Sequence, residues 1–445
     1  MKKFYLSLAL LMSTFLGFAQ NINFNNGGGD LLWSNPNNWD LSVIPAATNT
    51  VRLSSLAESL VDQNFTVLKI QTTFEIGASS TATDKIAAVA GGSILTIDAA
   101  ANAVFGIENA SNNDVNFIFK GNLTINNTTT AGISNTLMRN QNGSGNAMVF
   151  SNGSVLTLNT PLETRTGSNN NFSFNGSLAG TAPLRVNANT ISTFGATSNN
   201  TGYEGDFVWV GANASVIVNT ADSNTFLPTD RKIQVNAIGG SIQVNTVNVF
   251  RGNTAINGDR SFTFDVNKNQ NAIGTITFDG GTADGTLNLD IDDSVTELFF
   301  ANSAEVEWNT GTLNIIGFKE GVIKFGTDNS GLTATQLTQI TADGVGSGQA
   351  LALETDGTLV VASSLSIEDY DYQSKGRLSF PSVISNEKLQ IKVPITEYKI
   401  FNILGQKVQS VSRNNEFQEI NVSNFKAGIY ILTIEGKASE RFIKQ

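Results

Sequence analysis

Short apolar runs with a period of two residues alternate with turn-forming segments throughout residues 172–219. Phe172 and Phe174 flank a serine, and Phe207 and Trp209 flank a valine. Because alternate side chains of a strand point to opposite faces, each run offers one apolar row to a core. The connections are rich in Gly, Asn, Ser and Thr, which favour turns. One such block cannot bury its apolar row alone, so it must stack on similar blocks.

Internal sequence repeats support such stacking. The run GSILTID at 92–98 returns as GSVLTLN at 153–159, and FIFKGNL at 117–123 returns as FSFNGSL at 172–178. The repeated runs lie 61 and 55 positions apart. Each interval would hold two or three coils of roughly 20–25 residues. We therefore predict a body of about a dozen coils with a length of roughly 60 Å. Asn or Asp closes several strands, which predicts left-handed corners and ladders of side-chain amides between coils. These residues are Asp98, Asn159, Asn219 and Asn245.

The chain has 445 residues and contains neither cysteine nor histidine. Without disulfides, the fold must be held by its core and its backbone ladders. The absence of histidine excludes Ser-His-Asp and Cys-His catalysis and most zinc chemistry. We therefore expect no cofactor and no zinc site.

The first nineteen residues have the pattern of a secretory signal. Lys2 and Lys3 precede an apolar run from Phe4 to Phe18, and Gly17 and Ala19 are small residues suited to cleavage. The run is shorter than the roughly 20 apolar residues that a membrane span needs. We interpret residues 1–19 as a signal peptide.

Charge is unevenly distributed. Residues 1–364 contain 16 basic and 29 acidic side chains, whereas residues 365–445 contain 11 and 9. Such a break favours a domain boundary, and an acidic body argues against a nucleic-acid partner. We predict a body at 20–363, a linker at 364–376 and a separate domain at 377–445.

Both ends of the body carry capping patterns. Trp33 and Trp39 straddle a turn, and we favour an apolar cap over a sugar-stacking pair. Thr333 and Gln336 fit a capping box for one short helix with Leu337 and Ile340 on its buried side, and Trp308 is expected beneath it.

The stretch at 172–219 resembles the passenger repeats of autotransporter-type β-helix proteins. A Gly-rich strand is followed by an Asn and Thr turn, a Tyr-x-Gly pair and a Gly-bearing strand. The matching residues are Asn200, Thr201, Tyr203, Gly205 and Gly211. The resemblance implies an all-β fold whose body is a right-handed parallel β-helix.

The last part of the chain resembles the type A sorting domain of the type IX secretion system. The matching residues are Pro381, Leu389, Ile391, Leu404, Gly405, Val408, Gly428, Ile429, Tyr430, Phe442, Ile443 and Lys444. The usual Pro-Asn-Pro start is only Phe-Pro-Ser here. We predict a small β-sandwich with strands at 389–393, 398–402, 419–422, 429–434 and 441–444. The resemblance implies secretion by the type IX machinery, removal of the tail, and attachment of the body to surface lipopolysaccharide or release.

The sequence offers few candidates for chemistry. Asp290, Asp292 and Asp293 are clustered as calcium ligands can be, although exposed acids at a strand end explain them better. Glu204 and Asp206 are two residues apart, so a strand would place them on one face like a glycosidase pair. Solvation of a strand is the simpler interpretation, and we expect no metal site.

Some parallel β-helices are polysaccharide lyases with a Lys or Arg base. The basic residues in the middle of the chain are Arg231, Lys232, Arg251 and Arg260, and with no histidine Tyr203 is a further candidate base. None of them matches a lyase motif. Threonine rows that would bind ice are also too irregular. We therefore predict an exported, non-catalytic adhesin or matrix component that contacts carbohydrate or another cell surface, and a carbohydrate-active enzyme is the alternative.

Overall fold

The computed structural model describes residues 20–445 apart from fourteen segments: 54–57, 73–83, 99–104, 111–114, 128–135, 141–146, 167–170, 223, 280–283, 347–348, 363–378, 381–382, 385–386 and 435–438. The expected signal peptide, the expected linker and Pro381 lie outside the described residues. The chain divides into two compact units, with the boundary between Ala362 and Ser363.

The first unit is a column of mainly parallel strands with two long sheets, A and B, and strands are numbered in chain order. Sheet A contains β1 Gln20–Phe24, β2 Asn49–Leu53, β5 Lys69–Thr72, β8 Phe105–Asn109, β11 Thr136–Asn140, β14 Leu162–Thr166, β17 Leu184–Val186, β19 Phe207–Trp209, β21 Lys232–Val235, β23 Asn253–Asn257 and β26 Ile276–Asp279. Sheet B contains β3 Glu58–Val61, β6 Lys85–Val89, β9 Phe117–Lys120, β12 Ala147–Phe150, β15 Asn171–Phe174, β18 Ile191–Phe194, β20 Ser215–Val218, β22 Gly240–Val244, β24 Ser261–Val266, β27 Thr286–Ile291, β29 Thr312–Ile316 and β31 Ile340–Ala342.

Smaller sheets complete the column. Sheet C contains β4 Phe65–Val67, β7 Leu95–Asp98, β10 Asn122–Asn126, β13 Val155–Leu158 and β16 Ser177–Gly180. Sheet D contains β25 Gln270–Ile273, β28 Leu298–Phe300 and β30 Ile323–Phe325, and β32 Leu351–Leu353 pairs with β33 Leu359–Val361 in an antiparallel hairpin. The described helices are a 3₁₀ turn at Pro36–Asn38 and α1 at Ala334–Thr338.

Successive coils pair in parallel, which confirms the predicted β-helix. Phe172 pairs with Ser192 twenty positions later, whereas Ile118 pairs with Val149 thirty-one positions later. Coil length therefore varies more than the predicted 20–25 residues. Twelve strands of sheet B at about 4.8 Å each give a column of roughly 50 Å. The right-handed sense of the coil stays a prediction.

Aromatic residues at equivalent positions of sheet B stack directly on one another. The ring centroids of Phe119, Phe150, Phe174 and Phe194 are separated by 5.2, 5.2 and 4.8 Å, and consecutive ring planes lie within 13°. All four side chains are buried. Each coil thus supplies the apolar cover that its neighbour lacks, as the repeat pattern predicted.

The N-terminal tryptophans are part of the core. Trp33 and Trp39 are both buried, with ring centroids 5.3 Å apart, and the Trp39 indole N–H donates to the Trp33 carbonyl at 2.9 Å. Neither ring offers a face to a sugar, so the capping interpretation is the better one.

The C-terminal capping box is present as predicted. Thr333 caps α1, and the Thr333 and Gln336 side chains each accept from the backbone N–H of the other residue. Ile340 is buried but begins β31 instead of extending the helix. Trp308 is also buried and donates its indole N–H to the Ile276 carbonyl at 2.8 Å.

The predicted amide ladders join successive coils. The Asn245 amide donates to Asn219 at 2.8 Å, and the Asn267 amide donates to Asn245 at 2.7 Å. The prediction of left-handed backbone at these strand ends was wrong, because the left-handed asparagines include Asn189 and Asn213 instead. Asn219 and Asn245 each directly follow a strand, β20 and β22, and neither has a positive φ.

Tyr203 fastens one coil to the next from inside the core. Its buried hydroxyl accepts from the Leu184 N–H at 2.9 Å and donates to the Ala182 carbonyl at 2.9 Å. Burial raises the pKa of the Tyr203 hydroxyl. The side chain therefore holds a turn, and its hydroxyl does not reach a substrate on the outer surface.

We expect Tyr203→Phe to lower the free energy of unfolding by about 1–3 kcal/mol, because the Leu184 N–H and the Ala182 carbonyl lose a buried partner. Urea denaturation of the full chain measures the change. Thr201→Val, which alters an exposed hydroxyl on the same turn, is the matched control. Equal stability of the Tyr203 variant and the control would contradict the assigned role.

The second unit is a small β-domain built on two long strands. Its strands are β34 Ser379–Phe380, β35 Val383–Ile384, β36 Lys388–Asn402, β37 Lys407–Asn421, β38 Gly428–Thr433 and β39 Ser439–Lys444. β36 joins the first two predicted strands into one, with register shifts that bend it between Gln390 and Glu397. Most pairings are antiparallel, and a separate cluster of apolar side chains forms its core.

Candidate functional site

The outward side of sheet A carries a group of charged side chains between β2 and β17. Along each strand they alternate with core residues that face inward, such as Ile70 on β5 and Met138 on β11. We call this group the basic strip; it consists of Arg52, Lys69, Arg139, Arg165 and Arg185 with the carboxylates of Glu108 and Glu163.

Glu108 occupies one half of the strip. Its carboxylate accepts a hydrogen bond from Lys69 Nζ and forms an ion pair with the Arg139 guanidinium, and its side chain is only 6% exposed. Burial, followed by the charges of Arg139 and Arg52, lowers the pKa of Lys69 to about 8, even with Glu108 beside it. Lys69 and Arg139 thus share one carboxylate, and the charge of Arg52 also acts on Lys69.

Arg52 lies at the same end of the strip and has a buried donor. Its Nε atom is buried and has no hydrogen-bond partner among the described residues. Buried donors are normally paired, so an unpaired Nε at this position is unfavourable for folding.

Glu163 organises the other half. Its two oxygens accept from Arg165 Nε at 2.8 Å and from Arg185 Nε at 3.2 Å. The Glu163 side chain is 4% exposed, whereas those of Arg165 and Arg185 are 50% and 30% exposed. Because the carboxylate holds each guanidinium by Nε, the two Nη groups of each arginine remain for a bidentate contact with an outside anion.

The strip places like charges side by side. Arg139 and Arg165 are directly paired residues on the neighbouring strands β11 and β14. Like charges directly opposite one another destabilise a sheet, and breaches of such rules are expected at functional sites. Five cations against two carboxylates also contrast with the acidic composition of the body.

The sequence did not single out these residues. Lys69 and Glu108 are 39 positions apart in the chain, and Arg165 and Arg185 are twenty apart. A usable signal was the arginine at an outward position of three consecutive strands in sheet A, β11, β14 and β17. It can be recognised only when the coil register is known.

The predicted calcium candidates are not gathered into a ligand set. Asp292 accepts from the Ser294 N–H at 2.8 Å, and Asp293 lies 3.3 Å from Lys319 Nζ. Asp290 pairs across the sheet with Asp265, whose pKa is raised by burial and further by the nearby aspartates. Within the described residues, no group of three or more carboxylates is placed to bind a metal ion.

The expected carboxylate pair is arranged differently from the prediction. Glu204 and Asp206 precede β19, which starts at Phe207, so they do not share a strand face. Glu204 is exposed, and the Asp206 carboxylate accepts from the Lys232 backbone N–H at 3.0 Å. The glycine at 205 passes against the Ala182 carbonyl and leaves no room for a regular strand residue.

The other basic candidates do not converge on one site in the structure. Arg231 donates to the Glu204 carbonyl at 2.6 Å, and Arg260 pairs with its neighbour Asp259 at 2.6 Å. Lys232 begins β21, and Arg251 is exposed. Basic side chains do converge in the basic strip, around the carboxylates of Glu108 and Glu163.

The motif residues of the tail fall into two groups. Leu389, Ile391, Tyr430 and Phe442 are buried in the core of the domain. The Tyr430 hydroxyl also donates to the Lys426 carbonyl at 2.8 Å. These residues maintain the fold of the domain.

The remaining described motif residues lie in the hairpin turn, at the start of β37 or on the last two strands. Leu404 and Val408 are 78% and 42% exposed, and Ile429 is 39% exposed. Gly405 has a φ of 74° in the hairpin turn that joins β36 and β37. Gly428 begins β38, and Ile443 and Lys444 pair with β38 and β35 at the end of β39.

Comparison with protein families identifies the tail. Residues 383–445 match the family described as secretion system C-terminal sorting domain. The chain carries a type IX secretion sorting domain. This sorting domain marks the protein for export to the cell surface or the extracellular space, and it implies interaction with the type IX machinery.

The β-helix body stands apart from this match. Searches of curated proteins and of solved structures find no match. Among the described residues, no helix has the length and apolar character needed to cross a membrane. Any role for the body must therefore be argued from its own surface.

Proposed function

We propose that the protein is a surface-displayed, non-catalytic adhesin or matrix component whose β-helix body contacts carbohydrate or another cell surface. The sorting domain at 383–445 is the observation that carries the proposal, because it accounts for export of the attached body. A column of stacked coils offers a long outer face on which contacts can be repeated.

An enzymatic alternative is favoured by one feature of the basic strip. Lys69, with a pKa of about 8 beside Arg139, has the proton affinity that suits a general base near neutral pH. A polysaccharide lyase would use such a base to remove a proton next to a uronate carboxylate. Lys69 is engaged with Glu108 and its side chain is only 15% exposed, so we favour binding over catalysis.

A comparison of cells that display the protein with cells that lack it distinguishes adhesion from polysaccharide cleavage. We expect displaying cells to adhere more strongly to a polysaccharide-coated surface or to one another, with no release of soluble sugar. Absorbance of unsaturated products and reducing-end assays on a panel of polysaccharides measure release. Adhesion unchanged by loss of the protein would contradict the proposal, and product release would favour the lyase.

A further inference from the structure

We propose that the basic strip is a binding site for a linear acidic polysaccharide, whose carboxylates are held by the guanidinium groups of Arg139, Arg165 and Arg185. This inference rests on the proposed surface function and names the class of ligand. It concerns binding and involves no covalent step.

The arrangement of charges in the basic strip favours the binding of an external anion. Arg139 and Arg165 face each other across neighbouring strands, and Arg52 keeps a buried Nε without a hydrogen-bond partner among the described residues. Neither arrangement favours folding by itself. A polyanion lying along the strip would reduce the repulsion between the cations and would accept hydrogen bonds from the Nη groups of the partly exposed Arg165 and Arg185.

Glu163 is the positioning residue of the site. By engaging the Nε atoms of Arg165 and Arg185, it fixes two long side chains that would otherwise lose conformational freedom on binding a ligand. Arginine is suited to carboxylate recognition because its planar group donates two parallel hydrogen bonds. Glu163 therefore holds two guanidinium groups in place for a ligand, that of Arg165 on β14 and that of Arg185 on β17. We call these two guanidinium groups the forks.

The spacing of the forks suits a linear polymer. Arg185 lies one strand further along the column but is paired with Glu163, two residues from Arg165. Arg139 and Arg165 are directly paired on neighbouring strands of sheet A, a step of about 4.8 Å along the column. That step is of the order of one sugar ring in an extended polysaccharide. A chain of uronic acids that runs along the column would present repeated carboxylates to repeated arginines.

The rest of the surface disfavours a nucleic acid. The body is acidic outside the strip, and a duplex needs a broad basic face. Single strands are commonly held by stacking of bases on exposed aromatic rings. The large apolar side chains that are exposed among the described residues include no aromatic ring.

Binding of defined polymers to the full chain tests the proposal. Polygalacturonate and alginate oligomers are the probes, titrated by calorimetry at low and high salt, with dextran as the neutral comparator. We expect binding to the two polyuronates, weaker at high salt, and none to dextran. Heparin and single-stranded DNA distinguish a carboxylate site from a general site for polyanions, and tighter binding to DNA would overturn the proposal.

The decisive variant is Arg165→Ala with Arg185→Ala. We expect about tenfold to a hundredfold weaker polyuronate binding, because two charge-assisted contacts are lost. The matched control is Arg251→Ala with Lys268→Ala, which removes the same charge from two exposed positions. Equal weakening in both double variants would overturn the proposal, since it would show only the effect of net charge.

Two further variants remain informative if the alanine pair folds poorly. Arg165→Lys with Arg185→Lys keeps the charge and removes the planar forks, so we expect clearly weaker binding. Glu163→Gln makes the strip more positive, and a simple basic patch would then bind more tightly. We expect weaker binding because the forks lose their support; tighter binding would overturn the positioning role of Glu163.

The experiments distinguish the role of the basic strip from the proposed function of the protein. Adhesion of displaying cells without polyuronate binding would overturn the binding role of the strip and would still support the proposed function. Polyuronate binding with release of unsaturated products would support the strip and overturn the non-catalytic function.

Discussion

Removal of residues 383–445 leaves the body in the periplasm and abolishes its display at the cell surface. This is the expected result because those residues are the sorting domain, with its own apolar core. Protease accessibility on intact cells and immunoblots of periplasmic fractions measure the two pools. Normal surface display of the truncated protein would contradict the role of the domain.

A finer version of the experiment keeps the sorting domain folded. Ile403 and Leu404 are 70% and 78% exposed in the hairpin turn, so changing both to serine removes apolar surface without opening the core. Exposed apolar side chains commonly mark a contact with another protein. We expect a large fall in surface display, and exposed Ser410→Ala in the same domain should behave like the native protein.

Phe174→Ala produces the largest loss of stability that we expect in the body. The ring is fully buried between Phe150 and Phe194, with centroids 5.2 and 4.8 Å away, so its removal leaves a cavity inside the column. Such a truncation costs about 3–5 kcal/mol. Because each coil contacts only its neighbours, unfolding is expected to begin near this coil.

Urea denaturation combined with hydrogen exchange measures both the size and the location of that loss. The matched control is Ser173→Ala, since Ser173 lies on the same strand but faces outward. A change below about 1 kcal/mol for Phe174→Ala would show that the aromatic column does not support the fold.

The sequence predicted the architecture well because strand periodicity is local. Period-2 runs such as the one around Phe172 identified both the strands and their apolar rows. The capping box at Thr333 was equally local, since its two partners are three residues apart. The amide ladder through Asn245 followed from the idea that equivalent strand ends lie above one another.

The basic strip could not be predicted because it depends on register between coils. Paired residues on successive coils lie from 19 positions apart, as for Val51 and Ile70, to 37 positions apart, as for Ile70 and Ile107. The sequence therefore does not show which residue of one coil lies beside which residue of the next. Glu163 and Arg185 meet only because β14 and β17 pair in that register. The functional residues of such a chain can therefore be recognised fully only after the coils are aligned.

Most of one strand of the tail was missed for a different reason, since the predicted strand at 419–422 covers only the end of β37. β37 at Lys407–Asn421 is largely polar and exposed, so it lacks an alternating apolar row over much of its length. Among the described strands of the tail, its one partner is β36, at the edge of the sheet. An edge strand of this kind is specified by its hairpin turn and its partner more than by its own pattern.

The central claim is that successive coils lie in register, one strand spacing apart. Spin labels at Ser173 and Asp265, and at Ser173 and Asp290, test it directly by pulsed electron resonance. These outward positions are linked by four and five successive strand pairings of sheet B. We predict backbone separations of about 19 and 24 Å, rising by one strand spacing between the pairs. Distances that do not rise from the first pair to the second, as in two antiparallel sheets packed face to face, would contradict the stacked column.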